Sequence, residues 1–192
     1  MRRRIVFMLA AGGLVVAAFA LTHARARAQA VPEPCDFITG GGFVFKDDGA
    51  RANFGAHGGC KNGSFWGHVN YVDHDPTLDP SPYHVDSIEI TGYLTVPGFP
   101  NARDICGVAR TNAGETVDFR VRMEDNGEGT DAPKDRFGIR LSNGYLVSTR
   151  PLGDDGAGGG NVKLHDHNPS NTPPEEAAVC LVPAPEPTPP GS

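Results

Sequence analysis

Short runs of alternating apolar and polar residues, separated by glycine- and proline-rich stretches, constrain this chain more than any other feature. The chain contains 25 Gly and 17 Pro, and most of them fall between the runs or after the last one. A period of two is typical of a β-strand with one buried face. The clearest run is residues 116–124, which we expect to bury one set of side chains and expose the other. The first set is Val117, Phe119, Val121 and Met123, and the second is Asp118, Arg120, Arg122 and Glu124.

Nine such runs and no convincing amphipathic helix predict an all-β fold. The runs cover residues 38–45, 51–57, 64–73, 85–96, 104–110, 116–124, 136–141, 145–149 and 161–165. Ser142-Asn143-Gly144 between two of them is a hairpin signal. We therefore expect a single antiparallel β-sandwich or β-barrel of about nine strands over residues 35–167. The pattern does not distinguish the two architectures.

The N-terminus predicts export. Three arginines precede an apolar run from Ile5 to Leu21, and Ala28-Gln29-Ala30 supplies a small-x-small cleavage site. These three parts form a signal peptide, which we place at residues 1–30. An uncleaved membrane anchor is the alternative, since the apolar run is near the lower limit for spanning a bilayer. With cleavage, we expect a secreted or periplasmic protein without stable membrane insertion.

The charge of the chain argues against one class of partner. A leader with five arginines and no acidic residue leaves the chain on cleavage, which takes the formal net charge from −6 to −11. Such a chain repels phosphate backbones, so we expect no nucleic-acid binding.

Four cysteines remain after the leader: Cys35, Cys60, Cys106 and Cys180. In an exported chain they predict two disulfides, for which three connectivities exist. Domain termini often lie close together, so we favour Cys35–Cys180 with Cys60–Cys106. A zinc site made by all four thiolates is the alternative, but it normally requires closely spaced cysteine pairs.

Residues 168–192 have a different composition from the rest of the chain. Eight prolines fall within them, which is typical of an extended segment. We expect a Pro-rich, mostly disordered tail, with Cys180 holding part of it.

Several motifs occur in an order that is similar to a known family. They are Ile38-Thr39-Gly40-Gly41-Gly42, Ala52-Asn53-Phe54-Gly55, residues 67–74, His84-Val85, Ile90-Thr91-Gly92, residues 125–128 with Asp135 and Phe137, and residues 159–165. Together they resemble the post-COAP domain family of secreted bacterial proteins, over about Ile38 to His165. The resemblance implies secretion and a β-rich fold. It implies no established activity and therefore no catalytic residues.

An acidic, glycine-softened loop follows the clearest run and is a candidate calcium site. Calcium prefers six to eight oxygen ligands on a backbone that can bend around it. The alternative is a solvated acidic turn, because Asp, Asn and Gly are common turn residues. Calcium is the cofactor that this loop suggests. The candidate ligands are Asp125, Asn126, Glu128, Asp131 and Asp135.

Histidines form a second candidate metal site, this time for a transition metal. His68, His84 and His165 are the proposed ligands, and the alternative is that they are ordinary surface histidines. Asp73-His74-Asp75 and His165-Asp166-His167 are dense local clusters, but neighbouring strand residues face opposite sides of a sheet.

Aromatic residues suggest a ligand-binding face made of Trp66, Tyr71 and Tyr83. Trp and Tyr on a strand surface can stack on sugar rings or anchor a protein partner. Strand alternation places Trp66 opposite Tyr71, so one side of the strand belongs to the core.

Catalytic signatures are weak. None of Ser64, Ser87, Ser142 and Ser148 lies in a nucleophile elbow. Asp73 and Glu89 could form a carboxylate pair, but the required separation is spatial. The sequence therefore favours a secreted, non-enzymatic binding or structural module with an unknown protein or glycan ligand. A calcium-stabilised extracellular module is the second interpretation, and an extracellular hydrolase is the third.

Overall fold

The computed structural model describes residues 29–128, 134–153 and 158–186, and these form nine β-strands. The predicted leader, apart from Gln29 and Ala30, lies outside the described residues. Every strand pairing is antiparallel, and the described residues contain no helix, which confirms the predicted all-β class. The strands are β1 (Phe37–Phe45), β2 (Arg51–Lys61), β3 (Ser64–Asp73), β4 (Tyr83–Val96), β5 (Phe99–Thr111), β6 (Thr116–Glu124), β7 (Arg136–Leu141), β8 (Leu146–Pro151) and β9 (Gly160–His165).

One sheet contains all nine strands, in the order β8-β7-β6-β5-β4-β3-β2-β1-β9. Eight strands follow one another as a meander, and the ninth returns to pair with β1. The sheet curls into half of a barrel. The curl brings Phe54 on β2 and Phe137 on β7 together, and their rings stack with centroids 3.9 Å apart. The core therefore lies on the concave inner face, lined by Tyr71, Val121 and Ile139.

The clearest predicted strand is present as β6, but only half of its burial prediction is correct. Val117, Phe119, Val121 and Met123 are buried as expected. The polar set was expected to be exposed, and three of its members are instead 7%, 5% and 4% exposed: Arg120, Arg122 and Glu124. Other parts of the chain must therefore cover the convex outer face of β6.

Residues 168–186, which we name the C-terminal strap, provide much of that cover. Asn62 N donates to the carbonyl of Ser170, Val179 N donates to the carbonyl of Thr91, and Thr149 N donates to the carbonyl of Glu186. The strap thus crosses the outer face from the β2–β3 turn to β8. Proline lacks an amide hydrogen, so the strap is anchored by such separate hydrogen bonds and by Cys180 rather than by a continuous ladder. Residues 187–192 of the predicted tail lie outside the described residues.

Both disulfides differ from the favoured pairing. Cys35 bonds Cys60, with Cα atoms 5.9 Å apart, and Cys106 bonds Cys180, with Cα atoms 5.3 Å apart. The register of β1 and β2 explains the first, because Phe37 lies opposite Gly59 and brings Cys35 beside Cys60. The strap explains the second, because it carries Cys180 across β5. Our pairing of Cys60 with Cys106 was wrong, since two strands separate β2 from β5.

Candidate binding face

The predicted calcium loop uses its described side chains to fasten the β6–β7 connection to β9. Asp125 Oδ2 accepts from Leu164 N at 2.9 Å, and Asp135 Oδ2 accepts from Val162 N at 2.6 Å. Asp135 Oδ1 accepts from Asn126 N at 2.8 Å. Burial raises the pKa of Asp135, although the hydrogen bonds that it accepts from Val162 N and Asn126 N act in the opposite direction.

The described loop residues form no metal-binding group. Lys163 Nζ lies 3.3 Å from a Glu128 carboxylate oxygen and 3.7 Å from one of Asp125. Within the described ranges no cluster of three or more His, Cys, Asp or Glu side chains is placed to hold a metal ion. Asp131 lies outside the described residues, so calcium binding stays a prediction.

The three histidines proposed for a transition metal do not share one pocket. His68 on β3 contacts Asp86 and Ser87, and His165 on β9 bonds the Thr39 hydroxyl at 2.9 Å. His84 is exposed on β4 and lies opposite Val72. Each imidazole has its own surroundings, so the predicted three-ligand set is not assembled.

Ser87, His68 and Asp86 lie in contact in the residue order of a serine-hydrolase triad, but through the opposite ring nitrogens of the histidine. Ser87 Oγ lies 3.1 Å from His68 Nδ1, and His68 Nε2 lies 3.2 Å from Asp86 Oδ1. The side chains of His68 and Asp86 are 46% and 59% exposed, however. Ser87 Oγ also accepts the amide hydrogen of Val69 at 2.8 Å. Water screens such a relay, and we assign it no catalytic role.

The carboxylate pair considered for a hydrolase was Asp73 and Glu89, and the environments of these two side chains differ. Asp73 is fully buried, accepts from the Tyr145 hydroxyl at 2.5 Å and pairs with Lys46 Nζ at 3.0 Å. Glu89 is exposed on β4. Asp73 therefore belongs to an internal polar network, which continues from Tyr145 to the Tyr71 hydroxyl at 2.6 Å.

The buried groups of this network, together with Tyr93, which donates to Asp36 Oδ1 at 2.7 Å, predict how the protein unfolds in alkali. Burial raises the pKa of Tyr71, Tyr93 and Tyr145 above the ordinary 10.0. Burial lowers the pKa of Lys46, but hydrogen bonds to Asp75 and Asp73 outweigh this and raise it above 10.5. All four groups keep protons that the unfolded chain loses, so the free energy of unfolding falls as pH rises above about 10.

In an alkaline titration followed by tyrosinate absorbance and circular dichroism, at least three of the four tyrosines should ionise only as the β signal is lost. The Tyr145→Phe variant should reduce the absorbance step by one tyrosine. Ionisation of two or more tyrosines while the β signal persists would contradict the burial of these hydroxyls.

The predicted ligand face of Trp66, Tyr71 and Tyr83 is divided by the sheet. Tyr71 and Tyr83 are 0% and 6% exposed and belong to the inner core. Trp66 points from the opposite side of β3, as the alternation predicted, and is half-buried. The combination of the three was wrong, because residues 66 and 71 differ by an odd number along a strand. Trp66 has other neighbours instead.

Four rings lie side by side on the convex surface, across β9, β1, β2 and β3. Phe37 stacks on His165 at 4.4 Å between centroids and lies 6.1 Å from Trp66. The ring of His57 is 5.4 Å from that of Trp66. We name Phe37, His57, Trp66 and His165 the outer aromatic face.

Glycine makes this arrangement possible. Gly59 lies between Phe37 and Trp66 in the paired strands, and a Cβ there would come within 2.6 Å of the Phe37 Cβ. A side chain at residue 59 would separate the two rings. The absence of one lets rings on β1 and β3 approach across the intervening strand β2.

A shallow trough adjoins the rings, and the two residues at its centre have no side chains. Gly41 and Gly55 lie opposite each other on β1 and β2, and the space above Gly55 is open to at least 4 Å. Asn70 on β3 and Asn161 on β9 extend the same row. At the usual strand spacing, the row from β9 to β3 is roughly 14 Å long. We name Asn161, Gly41, Gly55 and Asn70 the glycine trough.

The surroundings of the trough are polar and include charges of both signs, because Arg51 donates to Asn53 Oδ1 at 2.9 Å and Asp86 accepts from Asn70 Nδ2 at 3.3 Å. Asn53 and Asn70 present amides on its two sides, and His57 borders it. Burial and the neighbouring His68 lower the pKa of His57 below its usual 6.5, so this imidazole is neutral at neutral pH. The combination of flat rings and uncharged donors and acceptors suits a neutral ligand that carries both apolar faces and hydroxyls.

The indole nitrogen of Trp66 is buried and has no hydrogen-bond partner among the residues that the structure describes. An unsatisfied buried donor costs about 1–3 kcal/mol. The ring faces are thus the functional candidates at this position, rather than the indole N–H.

Sequence reasoning missed Phe37, His57 and the two trough glycines. The alternation of Phe37, Thr39, Gly41 and Phe43 carries a signal, because it gives the outer face of β1 two aromatic rings and a gap.

Comparison with known proteins gives no match to any protein-family model, curated protein or solved structure. The resemblance to the post-COAP family therefore stays a prediction. Within the described residues, no helix has the length and apolar character needed to cross a membrane.

Proposed function

We propose that this protein is an exported, disulfide-tied binding module whose outer aromatic face and glycine trough hold a neutral glycan chain. The observation that carries the proposal is the row of four outward rings beside a trough with two facing glycines at its centre. Sugar rings offer C–H faces that pack on aromatic rings and hydroxyls that bond to amides and imidazoles. A rigid sheet holds these groups in place before the ligand arrives, which reduces the entropy lost on binding.

Export is part of the proposal and is supported by two features. The N-terminal residues have the three parts of a signal peptide, and the four cysteines form two disulfides. Disulfides persist in oxidising compartments outside the cytoplasm. A neutral glycan outside the cell is therefore an accessible ligand.

A neutral glycan suits this surface better than a charged or protein ligand. Protein interfaces usually centre on buried apolar anchors, whereas this surface presents half-buried rings among amides. A polyanionic glycan would be repelled, because the chain without its leader has a formal charge of −11. The proposal is non-enzymatic, since the contacts described above position a ligand without a nucleophile or acid in a desolvated site.

Trp66→Ala should weaken binding of the purified mature chain to a neutral polysaccharide about tenfold, which corresponds to about 1.4 kcal/mol. Suitable probes are soluble β-glucan and chitin oligosaccharides, with alginate as the polyanionic control, measured by isothermal titration and affinity electrophoresis. Trp66→Phe keeps a ring face and should retain affinity within about threefold. Phe99→Ala, at an exposed aromatic residue away from the face, should have no effect.

Gly55→Leu tests the trough separately. The open space above Gly55 lets a side chain stand there without disturbing the sheet, so the variant should keep its stability and lose binding. Strong binding of alginate alone, or equal glycan binding by the wild type and Gly55→Leu, contradicts the proposed ligand class and site.

A further inference from the structure

Strands β3 and β4 separate after a short ladder. Their pairing joins residues 70–73 of β3 to residues 83–86 of β4 and stops there. β4 continues along β5 to Val96, with register shifts between Ser87 and Glu89 and between Ile90 and Gly92. Such bulges bend a strand and increase its twist. The first half of β3, residues 64–69, is therefore left without a ladder to β4.

This half of β3 presents main-chain groups to the gap. Val69 N already donates to Ser87 Oγ on that side, at 2.8 Å. Alternate residues of an antiparallel strand direct their main-chain groups to the same neighbour, so those of Phe65 and Gly67 also face the gap. A row of main-chain donors and acceptors of this kind is a template for another strand.

The C-terminal strap closes the far side of the gap without filling it. It is anchored at Gly63 through Thr172 and at Thr91 through Val179. Between these anchors, Pro173 and Pro174 have no amide hydrogens to give. The result is a cavity of about 730 Å³ lined by Phe65, Ile90, Glu89, Glu175, Glu176 and Val179. We name it the β3–β4 cleft, and its size lies in the usual range of ligand sites.

The chemistry of the cleft selects one kind of strand. Phe65 and Ile90 are half-buried and form an apolar floor. Glu89, Glu175 and Glu176 are exposed around it. An incoming strand would place alternate side chains on the apolar floor and direct the others to the carboxylates.

We propose that the β3–β4 cleft binds an extended peptide of alternating apolar and basic side chains, which adds to β3 as a further strand. Main-chain hydrogen bonds to Phe65 and Gly67 supply affinity, and the glutamates select lysine or arginine. This site is separate from the outer aromatic face, and neither proposal depends on the other.

The first test uses a synthetic probe and the purified mature protein. A fluorescein-labelled peptide of alternating lysine and valine should raise fluorescence anisotropy, with a dissociation constant at least about tenfold lower than that of the glutamate–valine peptide. Equal affinity for the two peptides overturns the proposal. So does binding of the basic peptide that disappears entirely at moderate salt, because strand addition retains its main-chain hydrogen bonds when charge is screened.

The second test separates strand addition from charge attraction. Two further lysine–valine peptides are N-methylated on alternate residues, one set odd and the other even. Only one set of amides can face β3, so one methylated peptide should lose binding about tenfold or more and the other should not. Equal affinity of both methylated peptides overturns the pairing with β3.

Protein variants locate the site. Replacing Glu89, Glu175 and Glu176 with glutamine should weaken binding of the lysine–valine peptide at least about fivefold. The matched control changes the same net charge elsewhere, at Glu33→Gln, Asp79→Asn and Asp166→Asn, three exposed positions, and should bind normally. Equal losses in both triple variants overturn the location. Self-association through the cleft that the peptide cannot displace, measured by sedimentation, would identify a second copy as the occupant instead.

Discussion

Replacing Asp104 with alanine is expected to lower the free energy of unfolding by about 3–5 kcal/mol. Asp104 is fully buried and accepts hydrogen bonds from Arg120 Nε at 3.0 Å and from Arg122 Nε at 2.8 Å. Burial lowers the pKa of Arg122, but the Asp104 hydrogen bond outweighs this and holds it above its ordinary value. The alanine variant leaves two buried cations without their anion.

Urea unfolding of the mature chain measures this effect, and two comparisons separate charge from packing. Asp86→Ala removes an exposed carboxylate that pairs with His68, and it should cost less than about 1 kcal/mol. A triple variant with leucine at Asp104, Arg120 and Arg122 removes the charges together and should recover most of the loss. A loss below about 1 kcal/mol for Asp104→Ala would mean that water reaches the two arginines.

Removing the Cys106–Cys180 disulfide is expected to lower the free energy of unfolding by about as much as Asp104→Ala does. It closes a loop with a sequence separation of 74, against 25 for Cys35–Cys60. Chain-entropy arguments give about 4.5 and about 3.5 kcal/mol for loops of these sizes. This disulfide also attaches the strap to β5, so the Cys106→Ala/Cys180→Ala variant should expose β6 as well as lose stability.

Hydrogen exchange distinguishes this loss from a general one. In the Cys106→Ala/Cys180→Ala variant, the amides of Val179 and Thr149, which bond across the strap, should exchange faster than those of β2. In the Cys35→Ala/Cys60→Ala variant they should remain protected. Unchanged protection of Val179 after loss of Cys180 would show that hydrogen bonds alone hold the strap.

The sequence predicted local structure well, because strand alternation and turn signals act between near neighbours. The inner face of β6 and the Ser142–Gly144 turn are examples, and Gly144 has the positive φ of 96° that a tight turn needs. The burial of Arg120 and Arg122 could not be predicted in this way. It depends on Asp104 on β5 and on the strap, where Val182 lies 62 residues from Arg120 along the chain.

In the candidate site, too, local alternation was predicted correctly and long-range contacts were not. Alternation placed Trp66 and Tyr71 on opposite faces of β3, and this is confirmed. Whether a face belonged to the core depended on which way the sheet curls, and no local pattern encodes that direction. The ring partners of Trp66 come from other strands and follow from the register. The Cys35–Cys60 disulfide follows from the register as well, since Cys35 lies beside Cys60 only because Phe37 pairs with Gly59.

The two disulfides also determine how the molecule would respond to mechanical tension. A pull applied at both ends of the domain passes from Cys35 directly to Cys60, then along the chain to Cys106, and from there directly to Cys180. Only β3, β4 and most of β5 lie on that path. β1 and most of β2 are bypassed by the first bond, and β6 to β9 by the second. Under load the protein could lengthen only by unravelling its middle strands, while Phe37 and His165, the two stacked rings of the outer aromatic face, lie within the loops that carry no tension.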